Sequence, residues 1–475
     1  MGLPADFLKA LDKGQMEIAT NSNSGLIRDV MDIAVGIAAE DDGWFLLRAP
    51  GRVNLMGEHT DYNGLPVLPM AIEREVVAAV RARSDGEVHL VNTDAAYLPR
   101  EFQVEDEIAP YLAGDWGNYI KAAVQALVLW EKEAGRSARM GMDLIVSSNI
   151  PAEAGLSSSS ALLVAGALAF NEVNGIGLAP QEMADLTWMA EQYVGTQGGG
   201  MDQTICLMAE HNHALLIEFF PTRTRSIAFP AGLDIVLANT LVIADKAASR
   251  RLEYNRRVAE TRMAGWLISH FHGMQPGLLA QVFDIESKQP LDALKQAMRH
   301  GPYTLQQVAD DLGCSLEEAR ENFLAQPDGS YLEEPEEGFL PFHRAYHVIT
   351  ETLRVWDCAD ALARGDGGKL GRLFDASHAS CRNNYGISCP ELDALTDIAR
   401  CSGALGARLT GAGFGGCIVA ICQKEETPRV LAGIEKHYYG KWLDENRPDL
   451  ADGATGIMKT VSTSACQGAQ VVKNV

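Results

Sequence analysis

The sequence predicts an α+β fold, and two features of its pattern support that prediction. Short runs with the alternation typical of strands, such as Met142, Leu144 and Val146, are mixed with long segments of helical spacing. The two kinds of element do not alternate strictly, as they would in a doubly wound parallel sheet. The chain has 475 residues, which is more than one ordinary hydrophobic core accommodates, so we expect two domains.

Each element is predicted from apolar spacing and from the turn residues that flank it. In chain order, the predicted elements are a helical lead-in over the first 40 residues, a strand at 75–82, a turn at Asp85-Gly86, a strand at 88–92, a helix at 116–130, a strand at 142–146, a loop at 149–160, a helix at 161–170, strands at 213–219 and 235–244, a largely helical stretch from about 255 to 400, a loop at 410–416, a buried strand at 417–422 and an edge strand within 458–472.

The composition narrows the classes of partner. The net charge of -23 disfavours binding to nucleic acids and to anionic membrane surfaces. No run of 18 apolar residues occurs, and the first residues lack the apolar core of a signal peptide. The nine cysteines lack zinc-site spacing. We therefore expect a cytoplasmic monomer with reduced thiols, no nucleic-acid partner and no membrane partner.

The segment 50–69 carries a dense set of hydrogen-bonding side chains. Arg52, Glu58, His59 and Asp61 fall within ten residues, and the whole segment also contains three glycines and three prolines. Carboxylates accept hydrogen bonds from sugar hydroxyls, whereas arginine and histidine donate them. We interpret the segment as a loop that surrounds a small molecule rich in hydroxyls. One alternative is a solvated turn with ordinary surface charges. The other is a metal site formed by Glu58, His59 and Asp61.

The serine loop at 151–161 has the composition of an anion-binding site. A strand precedes it, a helix follows it, and Gly155 allows a close approach of the backbone to a ligand. Ser157 is the first of four consecutive serines. The first turn of a helix has unpaired N–H donors and a partial positive charge, which stabilise a phosphate, and a serine hydroxyl can ligate magnesium. No Walker motif is present. The alternative is a helix cap followed by small packing residues, although one serine suffices for a cap.

Two further segments complete the candidate site. The glycine-rich loop at 410–416 is weak evidence alone, but with the serine loop it would form the other wall of a nucleotide site. Asp202 follows three glycines, which would leave space for a ligand beside its carboxylate. An aspartate after glycines is usually a helix cap, and that alternative stays open. Because Asp202 occurs together with the other segments of the candidate site, it is our candidate for a catalytic base.

A DNA-binding hypothesis comes from residues 302–325, which have a helix-turn-helix pattern. Thr304 with Gln307, and Ser315 with Glu318, are capping-box pairs on either side of a glycine turn. The second helix displays three glutamates and a single arginine, which phosphates would repel. We therefore favour a structural helical insertion.

Taken together, the segments resemble the galactokinases of the GHMP kinase family, which also holds homoserine, mevalonate and phosphomevalonate kinases. Residues 52–69 resemble the galactokinase signature, and the serine and glycine-rich loops resemble the family's second and third motifs. Residues 377–378 and 388–393 resemble a further galactokinase stretch. Residues 195–203 and the helical insertion are similar to the eukaryotic branch that includes N-acetylgalactosamine kinase. The resemblance covers essentially the whole chain.

The resemblance implies a fold and a domain division. It implies a domain at 1–240 like ribosomal protein S5 domain 2, and a ferredoxin-like domain at 241–475 with a helical insertion near 265–345. The active site would lie between the two domains.

The resemblance also implies roles for individual residues. It assigns catalysis to Asp202 and Arg52, sugar contacts to these two and to Glu58, His59, Asp61, Gly199 and Tyr254, nucleotide contacts to Gly155, Leu156, Ser157, Ser158 and Ser159, contacts with the adenine end to Trp116 and Asn239, and Mg²⁺ coordination to Ser158. Glu153 departs from the glycine of many galactokinases. We expect its carboxylate to point away from the phosphates.

The implied reaction is phosphoryl transfer from ATP, with Mg²⁺, to the anomeric hydroxyl of galactose. Asp202 would accept the proton or orient the hydroxyl, and Arg52 would keep Asp202 ionised and stabilise the moving charge. Two alternatives are an N-acetylgalactosamine kinase and a galactose and ATP sensor without catalysis. A sensor of this family would have a damaged serine loop, whereas the loop here has its full length.

Overall fold

The computed structural model describes residues 24–37, 43–152, 154–195, 198–242, 247–285, 289–326, 329–452 and 458–472, and for 247–251 and 452 it describes the backbone alone. Glu153 and most of the predicted helical lead-in lie outside the described residues. The strands are β1 (Phe45–Met56), β2 (Leu68–Arg83), β3 (Glu87–Asn92), β4 (Arg100–Gln103), β5 (Gly141–Ser148), β6 (His213–Glu218), β7 (Arg223–Ala228), β8 (Leu233–Asn239), β9 (Gly406–Leu409), β10 (Cys417–Gln423), β11 (Thr460–Thr463) and β12 (Gln470–Val472).

Helices and strands are both abundant, which confirms the predicted α+β class. The helices are α1 (Ser24–Ile37), α2 (Gly117–Glu133), α3 (Ser158–Asn174), α4 (Pro180–Ala190), α5 (Met201–Met208), α6 (Ala247–Phe271), α7 (Pro290–Ala297), α8 (Leu305–Leu312), α9 (Leu316–Leu324), α10 (Pro341–Arg364), α11 (Gly367–Ser380), α12 (Pro390–Cys401), α13 (Thr427–Ile434), α14 (Leu443–Asn446) and α15 (Pro448–Asp452). Short 3₁₀ turns lie at Asp61–Asn63, Glu191–Val194, Leu279–Asp284 and Lys424–Glu426, and π-helical turns lie at Cys381–Tyr385 and Glu435–Trp442.

A six-stranded sheet in the order β12-β1-β2-β5-β3-β4 forms the N-terminal half. Helix α3 packs against it and α2 packs on α3, and the apolar faces of both helices share one core with the sheet. The predicted strands at 75–82 and 88–92 are both present, but they do not pair with each other. Strand β5 lies between them, antiparallel to β2 and parallel to β3, so the backbone of this largely buried strand is paired at both edges.

The C-terminal half contains a four-stranded antiparallel sheet in the order β11-β8-β10-β9, against which α11 and α12 pack. Strand β8 belongs to this sheet, with Asn239 opposite Cys417, although it precedes the predicted boundary at residue 240. Strand β12 returns to the N-terminal sheet, where Val472 lies opposite Leu46. We therefore propose that the division falls before β8 and that the chain crosses between the halves again at its C-terminal end.

The segment 50–69 differs from the predicted loop. Residues 50–56 belong to β1, and residues 68–69 begin β2. A loop at 57–67, which we call the 57–67 turn, joins the two strands. Strand β1 accommodates a proline and a glycine because its pairing with β2 shifts register twice, near Gly51 and near Leu55. At the first shift, the Arg52 N–H donates to the carbonyl of Leu156 at 3.1 Å. The shift therefore links β1 to the serine loop.

Helix α3 begins earlier than predicted. The expected start was residue 161, but the helix starts at Ser158, and Ser157 precedes it with a left-handed φ of 60°. Three of the four serines therefore form the first helical turn, whose N–H groups have no partner four residues earlier in the helix. This is the arrangement that favours an anion at a helix N-terminus.

The predicted helix-turn-helix is present as α8 and α9. The Thr304 and Ser315 side chains cap the two helices by accepting from the N–H groups of Gln307 and Glu318, as the sequence predicts. Phe323 of α9 packs edge-to-face on Trp266 of α6, with ring centroids 5.1 Å apart. The pair of helices is thus anchored to the C-terminal half. In the described part of the chain, no helix has both the length and the apolar character needed to cross a membrane.

The return of β12 to the N-terminal sheet predicts a measurable loss of stability when this strand is removed. A chain that ends after Ala469 loses the pairing of β12 with β1, and each lost backbone hydrogen bond costs on the order of 1 kcal/mol net. We expect a lower free energy of unfolding in urea and faster amide exchange at 46–48. A chain that ends after Val472 is the control, and equal stability of the two chains would contradict the prediction.

Candidate active site

The centre of the site is an ion pair between the buried Arg52 on β1 and the half-buried Asp202 in the first turn of α5. The guanidinium contacts the carboxylate with two prongs, Nε to Oδ1 at 2.7 Å and Nη2 to Oδ2 at 2.8 Å. Its third nitrogen, Nη1, donates to the carbonyl of Gly155 at 2.5 Å. Because a two-pronged contact fixes both planes, Arg52 orients the carboxylate and holds it against the serine loop.

The serine loop also contacts Asp202 directly. The Ser157 hydroxyl donates to the same carboxylate oxygen, Oδ2, that accepts from Arg52 Nη2. A left-handed φ is uncommon for a serine, so the surrounding structure has to hold Ser157 in that conformation. The half-buried Ser158 and Ser159 follow at the start of α3. Asp202 therefore lies beside a helix N-terminus that is suited to phosphate.

Glycines let four chain segments come together in pairs at this point. A Cβ on Gly155 would lie 2.9 Å from the carbonyl oxygen of Thr410, and a Cβ on Gly199 would overlap the carboxyl group of Asp61. We expected these glycines to leave room for a ligand. The room is instead taken by other parts of the chain, because the serine loop packs against the glycine-rich loop and the 198–200 segment packs against the 57–67 turn.

The 57–67 turn presents Asp61 and His59. The Gly199 N–H donates to Asp61 Oδ2 at 3.2 Å. Burial, followed by the nearby charge of Asp202, raises the pKa of Asp61 to about 6. Burial, followed by the proximity of His347, lowers the pKa of His59 to about 3, so its imidazole is neutral at pH 7. Its Nδ1 lies 2.8 Å from the hydroxyl of Tyr62 and its Nε2 lies 3.3 Å from the carbonyl oxygen of Ala412.

Glu58 is buried behind this turn and has protein partners. It accepts from the Gly411 N–H at 3.1 Å and lies 3.3 Å from Nη2 of Arg408, a fully buried residue of β9. Arg408 also donates through Nη1 to the carbonyls of Asn54 and Leu55, at 3.1 and 3.0 Å. Burial raises the pKa of Glu58, whereas the charge of Arg408 opposes that rise. Glu58 therefore ties the turn to the C-terminal half.

These residues surround a cavity of about 390 Å³. The predicted site residues that line it are Arg52, Glu58, His59, Asp61, Ser159, Gly199, Asp202 and Tyr254. Gly155, Leu156, Ser157 and Ser158 adjoin it in the serine loop without lining it. The structure thus brings the predicted sugar contacts and the predicted phosphate contacts to one place, with Asp202 between them.

Trp116 and Asn239, which we expected at the adenine end, are not among the residues that line the cavity. Trp116 precedes α2, and its indole N–H donates to the carbonyl of Leu98 at 2.9 Å. Asn239 ends β8, and its side-chain oxygen accepts from the Leu241 N–H at 2.9 Å. In this structure, both side chains have partners within their own domain halves.

Several cavity residues were not predicted from the sequence, among them Tyr62, Tyr119, Glu191 and Asn255. Glu191 is the most informative of them. Burial, followed by the charge of Asp202, raises its pKa to about 7, and its Oε1 accepts from the Ser160 hydroxyl at 2.9 Å. The available signal was an acidic residue a few positions before the glycines at 195–200. Nothing in the local sequence of Glu191, however, distinguishes it from a surface acid.

The donor set near α3 suits Mg²⁺ that arrives with a nucleotide. Among the described residues, no three histidine, cysteine or acidic side chains cluster closely enough to hold a metal by themselves. Mg²⁺ usually takes one or two protein oxygens and completes its shell with waters and phosphate oxygens. The serine hydroxyls and the buried carboxylate of Glu191 are oxygens of that kind.

Three family models match the chain. The galactokinase galactose-binding signature covers residues 37–82, the N-terminal domain of GHMP kinases covers 118–210, and the C-terminal domain of GHMP kinases covers 358–440. A galactokinase from Dictyostelium discoideum is 33% identical over 462 residues, which span 90% of both chains. The chain belongs to the galactokinase family. A galactokinase from Saccharomyces cerevisiae is 32% identical over 79% of this chain and 81% of its own.

Solved structures of the galactokinase family and of other kinases share the fold. The Lactococcus lactis galactokinase, crystallised with galactose, superposes with a TM-score of 0.70 at 24% identity, over 94% of this chain and 99% of its own. The Methanococcus jannaschii mevalonate kinase superposes with a TM-score of 0.53 at 18% identity, over 89% and 98% of the two chains. The two-domain GHMP kinase architecture expected from the sequence is confirmed.

The buried contact between Arg408 and Glu58 predicts a large loss of stability for Arg408→Met. Removal of one partner of a buried ion pair leaves the other uncompensated, which costs about 3–5 kcal/mol. Without Arg408 the carboxyl pKa of Glu58 rises further, so the folded variant binds protons more readily than the unfolded chain. The loss should therefore shrink as the pH falls from about 7.5 to about 5.5.

Urea denaturation at both pH values measures this effect. Arg429→Met is the matched control, because Arg429 is exposed and its pair with Glu426 at 3.0 Å is worth less than about 1 kcal/mol. Equal losses for the two variants would contradict the prediction.

Proposed function

We propose that this member of the galactokinase family transfers the γ-phosphoryl group of ATP to the anomeric hydroxyl of galactose, giving galactose 1-phosphate and ADP. The observation that carries the proposal is the position of Asp202. The Asp202 carboxylate contacts Arg52 and Ser157. The 57–67 turn, whose side chains we assign to sugar hydroxyls, packs against residues 198–200, just before Asp202. A hydroxyl held by the turn would thus lie beside both a carboxylate and a phosphate-binding helix end.

The sugar end of the cavity offers complementary hydrogen-bonding groups. Asp61 supplies a carboxylate acceptor, and the neutral His59 lines the same end of the cavity, with its two ring nitrogens facing the Tyr62 hydroxyl and the Ala412 carbonyl. Tyr254 adds a phenol, with its ring 5.5 Å from that of His59. We assign Arg52, Glu58 and Gly199 to the same wall, with Glu58 acting mainly by holding the turn.

The phosphate end is built on α3. We assign the phosphates of ATP to the N-terminal turn of this helix, with Gly155, Leu156, Ser157, Ser158 and Ser159 around them. The Ser158 hydroxyl and the carboxylate of Glu191 would hold Mg²⁺, which neutralises phosphate charge when it is bound. Trp116 and Asn239 stay our candidates for the adenine end, and in this structure their side chains bond to protein atoms.

The chemistry requires little from the protein beyond position and charge. The anomeric O–H passes its proton to a carboxylate oxygen of Asp202 while the oxygen forms its bond to the γ-phosphorus, and the bond to ADP breaks. The Arg52 guanidinium, which contacts both carboxylate oxygens, stabilises the charge that develops as the phosphoryl group moves. Because Asp202 is held by three donor groups, its orientation is set before the sugar arrives.

All nine cysteines are free thiols, which supports the expectation of a cytoplasmic protein, and we keep the expectation of a monomer. ADP release in the presence of galactose separates a kinase from a galactose and ATP sensor, since a sensor binds without turnover. Equal concentrations of galactose and N-acetylgalactosamine in the same assay separate the two kinases. We expect turnover, with galactose preferred.

Replacement of Asp202 by asparagine tests the catalytic assignment. Asp202→Asn keeps the size of the side chain but cannot accept a proton, so we expect kcat to fall by about 10²–10⁴-fold. Galactose binding, measured by calorimetry, should change far less. Asp357→Asn is the control, because Asp357 is exposed and pairs with Lys369 at 2.7 Å away from the cavity. Turnover near the wild-type rate would refute the role of Asp202.

The raised pKa of Asp61 predicts a pH-dependent affinity for the sugar. A pKa of about 6 lies above the ordinary value, so Asp61 becomes protonated as the pH falls through 6 and loses an acceptor for a sugar hydroxyl. We expect the KM for galactose to rise below about pH 6, approaching tenfold per pH unit, at saturating ATP. Asp61→Asn should have a high KM that is constant over the same range. A wild-type KM that is equally constant would rule out Asp61 as the titrating group.

A further inference from the structure

The helical insertion reaches the wall of the cavity. Asn255 follows Tyr254 on α6 and lines the cavity, and its Nδ2 donates to Oε1 of Gln326 at 2.6 Å. Gln326 is the second residue after α9, within the insertion that begins near residue 265. A segment without a part in the proposed mechanism therefore holds a side chain of the proposed sugar site.

The direction of this hydrogen bond is determined by the other bonds of Gln326. Its Nε2 lies 3.2 Å from the carbonyl oxygens of both Leu324 and Ala325. Carbonyl oxygens only accept hydrogen bonds, so the NH₂ group of Gln326 faces them and its Oε1 faces Asn255. Asn255 must then turn its own NH₂ group toward Gln326. Its carbonyl Oδ1 is the atom that can accept a hydrogen bond from a molecule in the cavity.

Gln326 itself is held in place by its surroundings. Its backbone N–H donates to the carbonyl of Ser330 at 2.8 Å, and the adjacent Ala325 forms an antiparallel bridge with Tyr331. The Leu332 N–H donates back to the carbonyl of Leu324 at 2.8 Å. Because α9 also packs on α6 through Phe323, the glutamine and the asparagine are fixed relative to each other.

We propose that Asn255 is a specificity-determining residue, which accepts a hydrogen bond from one sugar hydroxyl other than the anomeric one, and that Gln326 is the positioning residue that orients its amide. The inference rests on the proposed function, because it takes the cavity to be the sugar site. It gives the insertion a role in choosing the sugar. A sugar that lacks the recognised hydroxyl leaves Asn255 Oδ1 without that donor, and a site that binds a substrate hydroxyl in this way disfavours analogues that lack it.

The test compares galactose with its 2-, 3-, 4- and 6-deoxy analogues in the wild type, Asn255→Ala and Gln326→Ala. Initial rates at saturating ATP give KM and kcat, and calorimetry gives binding without turnover. In Asn255→Ala we expect the galactose KM to rise roughly tenfold, as for one lost hydrogen bond, with kcat and the KM for ATP within about twofold. One deoxy analogue that the wild type disfavours should then bind about as well as galactose.

Gln326→Ala should raise the galactose KM by a smaller factor, about threefold, through a loss of orientation alone. Gln306→Ala is the matched control, because Gln306 lies on α8 of the same insertion and its exposed amide bonds to Asp310. It should leave every constant unchanged.

Two results would overturn the inference. The first is that Asn255→Ala discriminates among the deoxy analogues as the wild type does. The second is an equal rise in the KM for galactose and in the KM for ATP in Asn255→Ala, which indicates a general structural role. If the wild type fails to turn over any sugar, the proposed kinase function fails, and calorimetry with the same analogues still decides whether Asn255 recognises one hydroxyl.

Discussion

The Arg52 guanidinium joins three segments that are far apart in the sequence. It contacts the Asp202 carboxylate from α5 through two nitrogens and the Gly155 carbonyl from the serine loop through the third, while its own strand leads into the 57–67 turn. A buried cation is costly unless it is paired, so the negative charge of Asp202 stabilises this arrangement. The same contact that assembles the site thus orients the proposed base.

Acidic groups outnumber basic ones around this pair, and that imbalance shapes what the cavity can bind. Burial raises the pKa of Asp61 and of Glu191, and the charge of Asp202 adds to both shifts. An anionic nucleotide would meet repulsion here unless its phosphates lay on the N-terminus of α3 together with a divalent cation. Sugar hydroxyls, in contrast, are donors that suit these acceptors. The charge pattern therefore favours a neutral polyol beside a phosphate group that is neutralised by metal.

The sequence predicted the parts of the site whose residues lie close together in the chain. Arg52, His59 and Asp61 share one short segment, and the serines share a loop, so composition and spacing were sufficient to find them. The partners that hold these residues come from distant segments: Arg408 and Glu58 are about 350 positions apart, and no local pattern indicates that they meet. The insertion of β5 between β2 and β3 was missed for the same reason, since strand order depends on long-range pairing.

The support from distant segments bears on how the proposed reaction is accelerated. The 57–67 turn is held from the C-terminal half by Arg408, by His347, whose Nε2 lies 3.1 Å from the carbonyl oxygen of Glu58, and by Glu351, which accepts from the Gly57 N–H at 3.1 Å. The acceptors for the sugar are therefore fixed by protein contacts before a ligand binds. Phosphoryl transfer gains most from such prior positioning, because its transition state needs little covalent help. A site with fixed acceptors also selects its substrate by the pattern of hydroxyls rather than by apolar contact area, since a missing hydroxyl leaves a buried acceptor unpaired.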